Sequence, residues 1–351
     1  MPPRPESDGP NANAPKSPKE TGGPEARALP GCEDFWNPEK GRWFMVCGRI
    51  LAKYIEFNRQ FGKLGLPTSD ELTNPDGVGK RTSFTNDASI YWSPASDAHQ
   101  IGGAIGAKWC ALGCEGTLGY PTSDELTNPD GVGKRNSFMN DISIYWIQAT
   151  GAQPIGGAIG ARWGRSGYEG GRYGYPAGQE LNATCGEGSS LVQARTQSFQ
   201  TSQISWTGAP LSNFMAPGTG SVFAGKIRYQ NNSAYISQVG VAKNTWNQEG
   251  RVILEPNTAM FELTVKDVNR TDFVWAGLYT NVSNGTDFIE FNKPKFDVST
   301  PQFRNLLAIH EFGHAMRMQH TCPGELMAAA PNNFTPALQE MDLAIYHAMW
   351  G

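Results

Sequence analysis

A near-verbatim internal repeat limits the folds open to this chain more than any other feature. Leu64-Gly65-Leu66-Pro67-Thr68-Ser69-Asp70-Glu71 returns as Leu118-Gly119-Tyr120-Pro121-Thr122-Ser123-Asp124-Glu125, an offset of 54 residues (118 minus 64). Ile101 through Trp109 returns at Ile155 through Trp163 with the same offset. A third, worn copy runs from Tyr173-Gly174-Tyr175-Pro176 to Ile204-Ser205-Trp206, and Gly48 through Tyr54 loosely matches the short Ile105 to Trp109 stretch. About three units therefore occupy residues 31–210. Each reads as a short helix, a Gly-Pro turn and a strand pair ending in Ser89-Ile90-Tyr91-Trp92 or Ser143-Ile144-Tyr145-Trp146, whose β-branched and aromatic residues suit a sheet. Units this small cannot bury both faces alone, so neighbours must stack in a ring or a short array.

These copies resemble LGFP repeats, a module of actinobacterial cell-envelope proteins. The resemblance implies attachment to envelope polysaccharide through exposed aromatics and the repeated Asp70, Glu71, Asp124 and Glu125. Read from the residues alone, Tyr91, Trp92, Tyr145 and Trp146 serve equally as packing between repeats, and the acidic residues as turn or helix-start groups.

The second constraint is His310-Glu311-Phe312-Gly313-His314, followed by Arg317 and His320. Thr300-Pro301 reads as an N-cap with proline in the first helical position, and Phe303, Leu306 and Leu307 begin an apolar stripe. His310 and His314 continue that stripe, so both imidazoles leave the helix on one face, one turn apart, where two ring nitrogens can hold one Zn²⁺. Glu311, rotated roughly 100° from His310 about the helix axis, can reach water at the metal without ligating it, which suits a general base. Ten residues of unbroken helix would carry His320 about 15 Å from His310, so the helix must stop near Arg317 and fold back. Thr321-Cys322-Pro323-Gly324 supports a stop, and Met327 follows in a short apolar run suited to a tight turn beneath the metal. HExxH alone also occurs by chance, with its histidines merely packing a helix. A later helix offers Glu340 as an alternative third ligand.

HExxH, a histidine six residues on and a methionine turn resemble the metzincin clan of zinc endopeptidases; Glu325-Leu326-Met327 after Cys322-Pro323-Gly324 is similar to snapalysin and matrixin-like members. The resemblance implies that His310, His314 and His320 bind zinc, that Glu311 is the catalytic base, and that Met327 is the structural turn methionine. One departure stands out: Arg317 occupies the position of the usual turn glycine, where a left-handed backbone costs on the order of 1 kcal/mol.

A net charge of −4 argues against a nucleic-acid binder, and no apolar run is long enough for a transmembrane helix. Six cysteines fit an oxidising compartment. Proximity favours Cys32 with Cys47 and Cys110 with Cys114, which leaves Cys185 and Cys322; six free thiols are the alternative, and Cys32 could also mask a metal in a latent form. The polar opening Met1-Pro2-Pro3-Arg4 shows no apolar signal-peptide core.

Residues 1–30, rich in proline and poor in apolar groups, read as a disordered linker or remnant, and 211–221 as a linker between domains. Residues 222–351 carry strands at Ile227 to Tyr229, Val252 to Leu254, Phe261 to Val268, Phe273 to Thr280 and Phe288 to Phe291. Helices are expected at Ala234 to Trp246, from Thr300, and from Thr335-Pro336 to Met349. A βα pattern alone fits many folds; with the metzincin resemblance, the expected fold class is α+β: a small α+β repeat domain, then a zincin-like domain of twisted mixed sheet, metal helix, Met-turn and C-terminal helix. In the architecture the resemblance implies, Trp275 to Tyr279 is the candidate strand for binding an extended peptide, with a buried strand as the alternative. The expected function is a secreted, cell-wall-anchored zinc endopeptidase acting on protein or peptide. The alternative is a non-catalytic polysaccharide-binding protein with an inactive peptidase-like domain.

Overall fold

The computed structural model describes residues 31–218, 220–330 and 337–351. It is a mixed α+β structure with several small sheets, and its described residues divide into two compact units: residues 31–157 with 175–177, and those within 158–174 and 178–351. The third repeat copy therefore belongs almost entirely to the C-terminal unit, which starts well before residue 222.

The first unit opens with a hairpin of β1 (Cys32–Asn37) and β2 (Arg42–Cys47), closed by the Cys32–Cys47 disulfide, followed by a helix at Gly48–Glu56. Two equivalent four-stranded antiparallel meanders follow. One is β3 (Leu72–Thr73), β4 (Lys80–Phe84), β5 (Ala88–Ser93) and β6 (Asp97–Gly102); the other is β7 (Leu126–Thr127), β8 (Lys134–Ser137), β9 (Ile142–Ile147) and β10 (Gly151–Gly156). Each repeat thus holds four strands where the sequence pattern suggests a pair, because the outermost strand is only two residues long and carries no alternation to read.

Side-chain parity explains why adjacent strand residues are all apolar. Ile90 packs into the core formed by Val46, Ile50, Tyr54 and Phe84, while Tyr91 faces the other way onto Trp109, ring centroids 4.7 Å apart, in the next core. The first meander is covered on both faces, so repeats do stack, and Trp92 and Trp146 pack against these cores.

Two of the repeated acids, Asp70 and Asp124, hold structure too. Asp70 accepts from the Met45 amide at 2.9 Å and Asp124 from the Gln100 amide at 2.8 Å, each fastening a repeat to the hairpin before it. Tyr120 donates to Asp76 at 2.6 Å and Tyr175 to Asp130 at 2.5 Å, so the tyrosine of one Leu/Tyr-Gly-Tyr-Pro turn closes the Asn-Pro-Asp-Gly loop of the preceding copy. A side chain on Gly79 or Gly133 would strike that tyrosine, the hydroxyl lying 2.1 Å from the ideal Cβ in both cases. Leu66 fills the same turn in the first copy, where Asn37 of the preceding hairpin donates to the Pro67 carbonyl at 2.9 Å.

The second unit contains the helix Gly157–Arg165 and a three-stranded sheet of β11 (Leu181–Cys185), β12 (Val192–Ser198) and β13 (Gln203–Trp206). Its five-stranded sheet has the order β15-β14-β16-β18-β17, from β14 (Lys226–Asn232), β15 (Ile253–Pro256), β16 (Leu263–Val268), β17 (Gly277–Thr280) and β18 (Asp287–Asn292). Four strands run parallel and β17, on the edge, is antiparallel to β18. The strand expected from Phe273 begins only at Gly277.

Two helices pack together on this sheet. Ile236–Glu249 lies beside Pro301–Ala315, with the Trp246 indole donating to the Ile309 carbonyl at 2.9 Å and Phe312 edge-on to Tyr229. Glu340–Trp350 closes the chain. Its expected start at Thr335-Pro336 lies outside the described residues; Gln339 and Asp342 cap the observed end reciprocally. The 211–221 stretch is not a free linker: Phe214 is fully buried, and Met215 pairs with Met318 in a β-bridge. Among the described residues no helix is long and apolar enough to cross a membrane.

Candidate functional site

The Pro301–Ala315 helix starts as its sequence requires, with Thr300 Oγ1 accepting from the Phe303 amide. Its end is set by Arg317, which takes the left-handed conformation at φ 73°. The Arg317 guanidinium donates twice to the Ala216 carbonyl, at 3.0 and 2.8 Å, and the Ala216 amide donates to the Arg317 carbonyl at 2.8 Å. Charge-assisted bonds of this kind offset the small cost of a non-glycine left-handed residue. The chain then reverses, and His320 returns beside the helix.

The result is a convergence of three imidazoles. One potential ligand atom from each of His310, His314 and His320 lies within 4.8 Å of the others, and the ring centroids are 4.6, 5.3 and 4.9 Å apart. His310 Nδ1 meets the Leu326 carbonyl at 2.9 Å and His314 Nδ1 meets the Met318 carbonyl at 2.7 Å. A carbonyl can only accept, so both rings carry their proton on Nδ1 and aim an Nε2 lone pair inward. Those two Nε2 atoms stand 3.0 Å apart. With neither bearing a proton this is not a hydrogen bond but two facing lone pairs, a contact that a cation between them would relieve. In a tetrahedral zinc site with bonds of about 2.0–2.1 Å, two ligand nitrogens lie about 3.3 Å apart. The donor set therefore fits zinc. Burial holds His310 well below the usual imidazole range and His314 down to about 4, which keeps both in the neutral, ligating form.

Glu311 is 3% exposed, and burial pushes its carboxyl up to about 8, opposed by the Tyr279 amide. It lies against β17. An ideal Cβ on Gly277 would stand 2.7 Å from Glu311 Oε1 and 2.9 Å from Leu307 Cγ, so only glycine lets the edge strand come this close. Met327 is fully buried, and a Cβ on Gly313 would stand 2.4 Å from its sulfur: the glycine within the histidine motif makes the seat for the methionine. The turn is held by the Thr321 amide on the Met327 carbonyl at 2.8 Å and by Asp342, whose carboxylate accepts from the Leu326 and Met327 amides at 2.8 and 3.1 Å.

Beside His314 opens a cavity of about 580 Å³, lined by Ser221, Phe223, Tyr279, Asn281, Asp287 and Arg317 among others. Glu340 is not part of the cluster; it pairs with Arg165 at 2.6 Å. All three expected disulfides are present, so Cys32, bonded to Cys47, has no thiol with which to mask a metal.

Gly277, Gly313, Asp342 and Glu187, whose carboxylate meets His320 Nδ1, were not legible as site residues in the sequence. A glycine inside the strand-like Trp275 to Tyr279 was the one usable signal, since it marks a close approach.

Residues 64–116 and 118–171 each match the family model of the LGFP repeat. No curated protein matches the chain. Among solved structures it is similar to a chain described as the GM1 bound form of the ECX AB5 holotoxin. The identity is 13% and the TM-score 0.29, covering 37% of this chain and 81% of that one. A likeness so slight carries no argument.

Proposed function

We propose that this chain is a zinc-dependent endopeptidase associated with the cell envelope through its LGFP repeats. The matched repeats themselves point to a cell-envelope-associated protein. The observation that carries the enzymatic part is the inward-facing pair of Nε2 atoms, 3.0 Å apart, with His320 beside them. Zinc held there supplies a Lewis acid that polarises a carbonyl and lowers the pKa of water toward ~7. His310, His314 and His320 are the ligands. Glu311, one residue along the helix and sheltered from solvent, takes the proton from the attacking water and returns it to the leaving amine.

The edge strand β17 would receive an extended peptide by main-chain hydrogen bonds, since among the described residues it pairs only with β18. Gly277 keeps that strand close to Glu311. Four parallel strands with an antiparallel edge, a histidine helix, a buried methionine turn and a closing helix together support a zincin-like domain. The rival, a non-catalytic envelope-binding protein, drew on Arg317 in place of glycine. With Arg317 making the turn and bonding Ala216, that observation no longer favours it.

The test is cleavage of casein or a quenched peptide by the purified, zinc-loaded chain, expected to disappear in Glu311→Ala while zinc is retained. A metal-loaded protein that cuts nothing under broad screening refutes the proposal.

A further inference from the structure

Resting on the zinc reading above, we infer that Glu187 of the third repeat is a positioning residue for His320, which makes that worn repeat a working part of the metal centre.

The argument starts from where the third copy departs from the other two. In the first two copies the outer hairpin has two residue pairs, Leu72↔Arg81 and Thr73↔Lys80, then Leu126↔Arg135 and Thr127↔Lys134. In the third copy the hairpin is lengthened to five pairs, Leu181↔Thr196 through Cys185↔Val192. The added length carries its turn onto the loop after Arg317, and the residues that break the repeat are those that touch this loop. Cys185 is bonded to Cys322, the Gly186 amide donates to the Thr321 carbonyl at 3.1 Å, and Ser190 Oγ donates to Gln319 Oε1 at 2.8 Å. Gln319, Thr321 and Cys322 flank His320, so the backbone carrying the third imidazole is held on both sides.

Glu187 then acts on the ring itself. His310 and His314 have their Nδ1 atoms fixed by main-chain carbonyls of their own helix–turn region. His320 stands on an irregular loop, and its Nδ1 is met by the Glu187 carboxylate. A carboxylate there holds the proton on Nδ1, leaves the Nε2 lone pair for the metal, and raises the basicity of the ligand. The same loop without this carboxylate leaves an imidazole with two accessible tautomers and a rotatable ring.

The experiment uses the full chain and compares wild type, Glu187→Ala, Glu187→Gln and His320→Ala. Zinc affinity is read by competition with a chromophoric chelator and ligand geometry by the visible spectrum of the cobalt(II) form. Removing such an outer-shell partner costs about 10–100-fold in metal affinity; because Glu187 is exposed, Glu187→Ala is expected near the tenfold end, with an altered cobalt spectrum. Glu187→Gln, which still offers an oxygen to Nδ1–H, should restore most of the affinity. Melting in excess chelator should be unchanged in both variants. Wild-type affinity and spectrum in Glu187→Ala, while His320→Ala is impaired, would overturn the positioning role alone, as would a metal-free melting loss that Gln does not repair. A wild-type chain that binds neither zinc nor cobalt overturns both this inference and the zinc reading.

Discussion

Replacing Arg162 by alanine should destabilise the C-terminal unit severely, although Arg162 lies far from the histidines in sequence. It sits on the Gly157–Arg165 helix, and its guanidinium lies 2.5 Å from Glu325, two residues before Met327; the side chains are 7% and 0% exposed. Arg162 also reaches the Ser205 carbonyl at 3.4 Å and the Tyr173 hydroxyl at 3.3 Å, while Glu325 accepts from the Met341 amide at 3.1 Å. Truncation leaves the buried Glu325 carboxyl without its cation beside Asp342, whose own carboxyl is pushed up by burial and by Glu325. Breaking one side of such a pair costs about 3–5 kcal/mol. At about 2–4 °C per kcal/mol for a unit of this size, the midpoint should fall by about 6–20 °C. Thermal unfolding followed by circular dichroism, with chelator present and disulfides intact, measures this. The double variant Arg162→Met with Glu325→Leu should recover most of the loss, because replacing both charges by apolar groups removes the orphan. A single-variant cost below about 1 kcal/mol, the size of an exposed pair, would refute the reasoning.

Gly277→Ala should cost about 1–3 kcal/mol through overpacking and reduce kcat/KM by more than the stability loss explains, since the new methyl meets Glu311 Oε1 at 2.7 Å. Parallel melting and peptide-cleavage measurements check it, and a wild-type-like variant removes the close approach from the account. Burial raises Glu311 from 4.5 to about 8, so its contribution to metal-free stability is complete below about pH 4.5 and is lost as pH rises through about 8. Glu311→Gln cannot ionise; its stability advantage over wild type in chelator should grow from about pH 5 to about pH 9, and a constant difference contradicts the shift. Breaking the Cys185–Cys322 bond, which spans 137 residues, should cost about 5 kcal/mol by loop closure, read as the melting shift of Cys185→Ser with Cys322→Ser.

Much of the site was written locally. His310, Glu311 and His314 share a helix whose cap, stripe and stop are each encoded within a few neighbouring residues, so periodicity places them without tertiary information. The 54-residue repeat likewise shows that sheets must stack, because a unit too small to bury both faces has no other recourse. The cysteine pairing followed once two short-range bonds were assigned. The count of strands per repeat did not, because a two-residue edge strand is defined by its partner's hydrogen bonds and leaves no pattern of its own.

What local order could not reach is every contact made across the fold. Gly277 is needed because a strand passes against Glu311, Asp342 because three amides point at it, and Arg317 is tolerated because Ala216 happens to lie beneath its guanidinium. Glu187 is the extreme case: it lies 133 residues from His320, in a copy of a repeat whose siblings turn their loop carboxylates, Asp76 and Asp130, onto tyrosines instead. Periodicity reports only which face of an element a residue occupies; what faces it across the fold follows from packing, and so the shared face of His310 and His314 was legible in sequence while the supports that aim them were not.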